Sequence, residues 1–204
     1  MRHLVILTGC PGSGKSCMAG KFLRAFPGLR LLSYDAMKEE WFDREGFDGE
    51  AEKRALTDRC LAAFWGQVDG AMSSGGDLLI EYPFCRKHVP ALEAALAAHG
   101  YRPVTIVLTG DPAVLWARAA RRDGEEGRHP GHLCSTYHLQ GVRIPAPRLT
   151  LEEYTEDCRK KDYFIGLGPM YVVDMTDLSA VDEPALLRFL GGQLQQAPAG
   201  ACDA

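Results

Sequence analysis

The sequence predicts an α/β domain in which a parallel sheet carries helices on both faces. Three observations lead there. Short apolar runs alternate with stretches of helical period along most of the chain, the pattern that builds parallel sheets covered on both sides. A glycine-rich stretch ending in Lys15-Ser16 lies at the first strand-to-helix junction. Acidic residues, Asp35 and Glu81, follow the second and third apolar runs.

The elements follow in order. Residues 3–8 are an apolar run ending at Gly9, and residues 15–26 read as a helix closed by Pro27-Gly28. Residues 29–33 form the second strand. Residues 36–75 are mostly helical, with Leu56, Cys60, Phe64, Val68 and Met72 recurring every four residues as one apolar stripe. A third strand spans residues 77–82, a helix residues 89–99, a fourth strand 104–108 and a further helix 112–122. Residues 123–149 carry Gly, Pro, His and Arg without a clear period, and a loop of that length in a compact domain is usually functional. Thr150-Leu-Glu-Glu153 is a capping box that opens a short helix. The fifth strand is expected at 170–174 and the last helix at 183–190. The expectation is one domain over residues 1–191, with a lid and insertion at about 112–168 and a flexible tail at 192–204.

Composition narrows the function classes. A chain of 204 residues fits one domain, and 46% hydrophobic with 25% charged residues excludes general disorder. The formal charge of −4, from 27 acidic and 23 basic residues, argues against a nucleic-acid partner, whose binders carry a basic face. Seven cysteines (Cys10, Cys17, Cys60, Cys85, Cys134, Cys158, Cys202) form an odd set without repeating spacing, which suits reduced thiols in a cytoplasmic setting. The apolar run near Met1 is too short for a signal peptide or a membrane span, so no membrane is expected. Glycine is in surplus, with 22 residues.

Part of that surplus forms a recognisable cradle. Gly9, Cys10, Pro11, Gly12, Ser13, Gly14, Lys15 and Ser16 fit G-x-x-x-x-G-K-[ST] in full, between a predicted strand and a predicted helix. Gly9, Gly12 and Gly14 permit backbone conformations closed to other residues, so that successive N–H groups, through Cys17, converge on a polyphosphate at a helix N-terminus. Lys15 adds a mobile charge for the β- and γ-phosphates, and Ser16 a hard oxygen ligand for Mg²⁺. The expected ligand is ATP with magnesium. A dinucleotide fingerprint fails, because its third glycine would fall at Cys17.

Asp35 and Glu81 should emerge at the carboxyl edge of the sheet, beside this loop. Asp35 either accepts the proton of an attacking hydroxyl or caps the helix that follows it. Glu81 either orients a substrate hydroxyl or is a solvated strand end, and either acid could meet the metal through water. Arg118, Arg121 and Arg122 share a helix, with Arg128 beyond it; they either neutralise a transferring phosphoryl group or form a solvated face. His129, His132, Cys134 and His138 invite a check for zinc, but their spacing matches no common finger and a lid element touching substrate is the favoured reading. Trp41, Phe42 and Phe47 read as core more readily than as a substrate pocket.

Taken together, these residues resemble the P-loop kinases of small molecules, the group that includes zeta-toxin-like and chloramphenicol-phosphotransferase-like kinases. The resemblance rests on the glycine loop, Asp35, Glu81, the arginine helix and the run Val172-Val-Asp-Met-Thr176, and covers most of residues 3–190. It implies a three-layer P-loop kinase fold with about five parallel strands, the loop-bearing strand central, and an arginine-rich lid. It also implies Asp35 as general base and Thr176 and Asp177 near the adenine. Pro83-Phe84 after Glu81 and the long stretch 133–168 depart from the narrower members and leave the acceptor open. The expected activity is transfer of the γ-phosphate of ATP to a small-molecule hydroxyl by a monomer or homodimer. The alternatives are a 5′-hydroxyl polynucleotide kinase and a nucleotide-binding ATPase or switch; the chain has no N-K-x-D motif.

Overall fold

A computed structural model describes residues 2–125 and 127–195. The central sheet is built from β1 (His3–Gly9), β2 (Arg30–Ser33), β4 (Leu78–Glu81), β5 (Arg102–Thr109) and β8 (Met170–Asp174), in the order β2-β4-β1-β5-β8. All four pairings are parallel. β1 lies in the middle, paired with β4 on one side and β5 on the other, and every one of its residues is buried. Its side chains alternate between two cores, as a period of two requires. Val5 and Leu7 join Phe22, Leu115 and Leu186, whereas Leu4 and Ile6 join Phe64, Val68 and Leu92.

These two cores define the outer layers. On the first face lie α1 (Lys15–Ala25), α5 (Pro112–Arg122) and α8 (Glu183–Leu194). On the second lie α2 (Tyr34–Glu45), α3 (Gly49–Ser74) and α4 (Val89–His99). The expected stripe on α3 is buried throughout, but it serves two clusters. Cys60, Phe64, Val68 and Met72 face the sheet, while Leu56 belongs to a separate cluster with Phe42, Phe47, Cys134 and Tyr137. Phe42 and Phe47 are therefore core residues, as favoured, and Trp41 packs at their edge.

Three expectations need correction. The helical stretch 36–75 is two helices, broken at Gly46, whose φ of 65° is open to glycine at little cost. Between them Phe47–Asp48 forms β3, which pairs antiparallel with β6 (Cys134–Tyr137). Residues 123–149 are accordingly not a featureless loop. They contain α6 (Pro130–Leu133), β6 and β7 (Arg143–Pro145), and β3, β6 and β7 make a second, three-stranded sheet. Strands this short carry little periodicity, and the partner of β6 lies about ninety positions earlier in the chain. Finally, α8 continues to Leu194, whose side chain is buried with Leu186 and Leu190, so residues 192–194 are helix and not flexible tail. The rest of the expected tail, with Cys202, lies outside the described residues from 196 onward. α7 (Leu151–Lys161) carries the anticipated capping box, Thr150 Oγ1 accepting from Glu153 N at 3.2 Å.

Candidate nucleotide and acceptor site

The glycine loop follows β1 and closes into α1 at the carboxyl edge of the sheet. Its glycines are required by space and by backbone angle. A Cβ at Gly9 would overlap the Leu108 carbonyl, and one at Gly12 would overlap the Leu115 carbonyl. Gly14, at φ 88°, is the cap of α1 in left-handed conformation. The loop is thus pressed against β5 and α5. The Ser13 hydroxyl is buried without a partner, and Lys15 Nζ folds back to donate to the carbonyls of Gly9 (3.1 Å) and Cys10 (3.0 Å). A cradle of this shape with an unengaged donor fits a polyphosphate. Burial holds the Lys15 ammonium below its usual range, with Glu81 and Asp35 partly compensating.

Glu81 is the last residue of β4 and only 4% exposed, which excludes a solvated strand end. Its carboxylate accepts from Ser16 Oγ at 3.3 Å and from Ser33 Oγ at 3.5 Å. Burial raises its pKa, against the pull of nearby Lys15. Ser16 and Glu81 therefore present adjoining hard oxygens beside the phosphate cradle, a donor set suited to Mg²⁺ directly or through water.

Asp35 stands in the first turn of α2, but it is not the cap. Ser33 takes that role, its hydroxyl accepting from Ala36 N at 3.4 Å, which leaves the Asp35 carboxylate available. Lys38 Nζ lies 3.3 Å from Asp35 Oδ1. Burial alone would raise this carboxyl, yet the Lys38 ammonium, with the Arg128 guanidinium behind it, carries it below the usual range. Asp35 is consequently ionised at neutral pH and ready to accept a hydrogen bond or proton. Lys38 is a site residue that sequence reasoning missed, although it lies one turn after Asp35 and was legible in principle; His132, weighed from the sequence as a metal ligand or a lid residue, stands on α6 and pairs with Glu39 of α2.

The arginines separate. The guanidinium of Arg118 donates to the carbonyls of Met175 and, at 2.9 Å, of Thr176. It braces the loop after β8, so its expected contact with a transferring phosphoryl group is not what this geometry offers. Thr176 Oγ1 in turn accepts from Asp111 N at 2.8 Å, joining the loops after β5 and β8. Arg121 points outward to Glu125 at 3.3 Å, with 80% of its side chain exposed, and does not reach the site. Near the helix end only one flank of α5 faces the sheet edge, and Arg121 is off it. Arg122 and Arg128 do converge on the site, both pairing with Asp123 and lying close enough to Lys15 and to Asp35, respectively, to perturb them. Burial lowers the Arg128 pKa, and its Nε has no hydrogen-bond partner.

The histidines bind carboxylates. His129 pairs with Asp43 (2.9 Å), His132 with Glu39 (2.9 Å) and His138 with Asp48 (3.1 Å). Among the described residues no group of three potential ligands is placed to hold a metal ion, so the zinc check is negative there. The His129 and His132 contacts, with Tyr137 OH donating to Asp43 at 2.6 Å, dock the second sheet and α6 onto α2, whereas His138–Asp48 lies within that sheet. Burial drives the His132 pKa down to about 3, leaving it neutral. Between this sheet, α5 and α7 lies a cavity of about 480 Å³, with Trp116, Ala120, Leu133 and Pro145 among its apolar walls and Arg122 and His132 toward the sheet edge. Phe84, in the departure after Glu81, is buried and its carbonyl accepts from Thr8 Oγ1 at 2.6 Å, which makes that turn part of the scaffold.

A parallel sheet of this order with a phosphate loop after its central strand defines a P-loop fold of the kinase type. The family model for the AAA domain matches residues 4–133, more than half of the chain, and the chain belongs to that family. A Chloroflexus aurantiacus protein assigned provisionally to the kinases is 22% identical over 94% of this chain and 97% of its own, with a TM-score of 0.77. The tunicamycin resistance protein of Deinococcus radiodurans is 15% identical over 98% of this chain and 99% of its own, at TM-score 0.59. A gluconokinase from Sinorhizobium meliloti is 15% identical over 95% of each chain, at TM-score 0.56. These likenesses establish the shared three-layer fold. No curated protein matches the chain in sequence. Among the described residues no helix is long and apolar enough to cross a membrane.

Proposed function

We propose that the chain is an ATP-dependent kinase that transfers the γ-phosphoryl group to a hydroxyl of a small molecule. The observation that carries this reading is the convergence of Lys15, Ser16, Glu81 and Asp35 at one sheet edge, with Asp35 uncommitted to helix capping and ionised. An ATPase could set the same carboxylate on a water molecule, so stimulation by an acceptor is what separates the two readings.

In this reading the loop amides bind the phosphates, and Lys15 leaves the Gly9 and Cys10 carbonyls to meet them. Ser16 and Glu81 would hold Mg²⁺, which supplies charge neutralisation on the phosphate oxygens. Asp35 orients the acceptor hydroxyl and takes its proton, while Arg122 and Arg128 lie where charge gathers on the transferred group. Arg118, bonded to the 175–176 carbonyls, sets the loop that would border the base, together with Thr176. The cavity between α5, α7 and the second sheet would receive the body of the acceptor. The kinases among the structural relatives, a gluconokinase included, support small molecules as acceptors. The six cysteines among the described residues are all free thiols, which supports a reducing, cytoplasmic setting.

The test is a panel of hydroxylated metabolites, antibiotics and nucleotide sugars screened for acceptor-stimulated ADP release. A stimulating compound should emerge phosphorylated, and Asp35→Asn should abolish that stimulation. ATP binding without stimulation by any acceptor, coupled to an ordered difference between ATP and ADP states, would replace this reading with the switch.

A further inference from the structure

The cavity of about 480 Å³ between α5, α7 and the second sheet is large enough for a drug-sized molecule. Its long walls are apolar: Trp116 and Ala120 come from α5, Leu133 from α6, and Pro147 and Leu149 from the segment after β7. That segment is fixed in place. Ala146 N donates to the Leu133 carbonyl at 2.8 Å and Trp116 Nε1 to the Leu149 carbonyl at 2.9 Å, so the walls are formed before anything enters. Leu149 stays half-exposed, an apolar side chain of the lining that the fold itself leaves uncovered.

Polar groups of the lining are largely engaged by one another or by the fold. Tyr154 OH donates to the Pro11 carbonyl (2.6 Å), Arg122 pairs with Asp123 (2.9 Å), and Asp157 pairs with Lys161 (2.6 Å). His132 is taken by Glu39 at 2.9 Å. The charges of the lining also cancel, with Arg122 and the exposed Arg148 set against Asp123 and Asp157. A polyol or a carboxylate seated here would lose its hydration without gaining partners, and each unpaired group would carry its own desolvation cost.

We propose that the acceptor is an alcohol with an uncharged, apolar ring body, aromatic or alicyclic, which fills this cavity and presents one hydroxyl group at the sheet edge, and that polyols and sugar acids are poor acceptors. The proposal rests on the kinase reading above.

The cavity meets the reacting groups at that edge. Pro11 of the phosphate loop and Arg122 are part of its lining, and Glu39, the partner of His132, lies one helical turn beyond Asp35 on the same face of α2. There the alcohol oxygen bonds to the γ-phosphorus as the bond to the departing ADP oxygen breaks, and the hydroxyl proton passes to the Asp35 carboxylate. Selectivity follows from burial, since each methylene removed from water favours binding and each unpaired hydroxyl opposes it.

The full chain should be titrated by calorimetry, with a non-hydrolysable ATP analogue present, with para-alkylbenzyl alcohols from methyl to butyl and with glucose and gluconate. Transfer is read separately, with ATP, as ADP release and phosphorylated product. We expect the affinity of the alcohols to rise about fourfold per added methylene until the cavity is full, with glucose and gluconate bound more weakly than any of them. Ala120→Phe, which fills the cavity, and Leu149→Asp, which charges an exposed part of its wall, should each weaken binding of the butyl compound by about tenfold or more. Flat affinity along the series, tighter binding of glucose or gluconate, or butyl binding unchanged in both variants overturns the proposal. ADP release stimulated by gluconate alone overturns this acceptor class and keeps the kinase reading. Alcohols that bind with the expected gradient yet emerge unphosphorylated sink the kinase reading and keep the apolar ligand class of the cavity.

Discussion

The phosphate loop and the docked second sheet meet at one site, but they are held by different means. Residues 9–16 are positioned by backbone packed on backbone, with Gly9 on Leu108 and Gly12 on Leu115. The second sheet is positioned by side chains that reach across the fold, from His129, His132 and Tyr137 to carboxylates on α2. A backbone contact admits one residue type and leaves a motif. A side-chain pair admits several and leaves none, so the phosphate loop is readable in the sequence while the docking of the second sheet is not.

Substitutions can break that comparison, and the largest effect belongs to the loop. Lys15→Ala should lower kcat/KM by about 10³-fold or more and weaken nucleotide binding. Asp35→Asn should lower kcat by about 10²–10⁴-fold while leaving the Kd for ATP nearly intact, because it removes the proton acceptor without touching the cradle. Steady-state kinetics with a binding titration distinguish the two, and equal losses of ATP affinity in both variants would erase the boundary drawn here.

Phe42→Ala tests the second sheet. Phe42 is fully buried between α2 and the cluster of Phe47 and Tyr137, so its truncation should cost about 3–5 kcal/mol in chemical denaturation. In protein that remains folded, KM for the acceptor should rise more than KM for ATP. Tyr137→Phe removes only the hydrogen bond to Asp43 and should cost about 0.5–1.5 kcal/mol, with the same bias in KM. A larger effect on ATP than on the acceptor would place this sheet on the nucleotide side.

The smallest expected effect is a shift in pH dependence. Asp35 must be ionised to accept a proton, and its pKa is depressed, so the acid limb of kcat/KM should lie below the usual carboxylate value of about 4. Lys38 is the strongest of the groups that lower it. Lys38→Met should therefore move the limb upward toward neutrality, and an unmoved limb would separate the observed titration from Asp35.

Much of the site was legible before any fold was known. Lys15, Ser16 and the three glycines follow from motif spacing, and Glu81 from its place at the end of an apolar run. The role of Asp35 was half legible: adjacency to a strand end located it, but only the structure assigned the cap to Ser33 and so left Asp35 available. The arginines misled as a group, because spacings of three and four put Arg118, Arg121 and Arg122 near one another without saying which face of α5 meets the sheet edge. Lys38 was missed because Asp35 was weighed alone; His132 was singled out, but its partner Glu39, 93 positions away, was not legible.

The sequence by itself determined the alternating α/β frame and the phosphate cradle, because period, turn chemistry and glycine stereochemistry are local properties; the central place of the loop-bearing strand came from the resemblance to the P-loop kinases. Tertiary structure alone decided that residues 123–149 contribute to a second sheet packed on α2, and that Arg118 braces the loop after β8. Those contacts join residues far apart in the chain, and nothing in the local sequence encodes which distant partner a short strand or a guanidinium will meet.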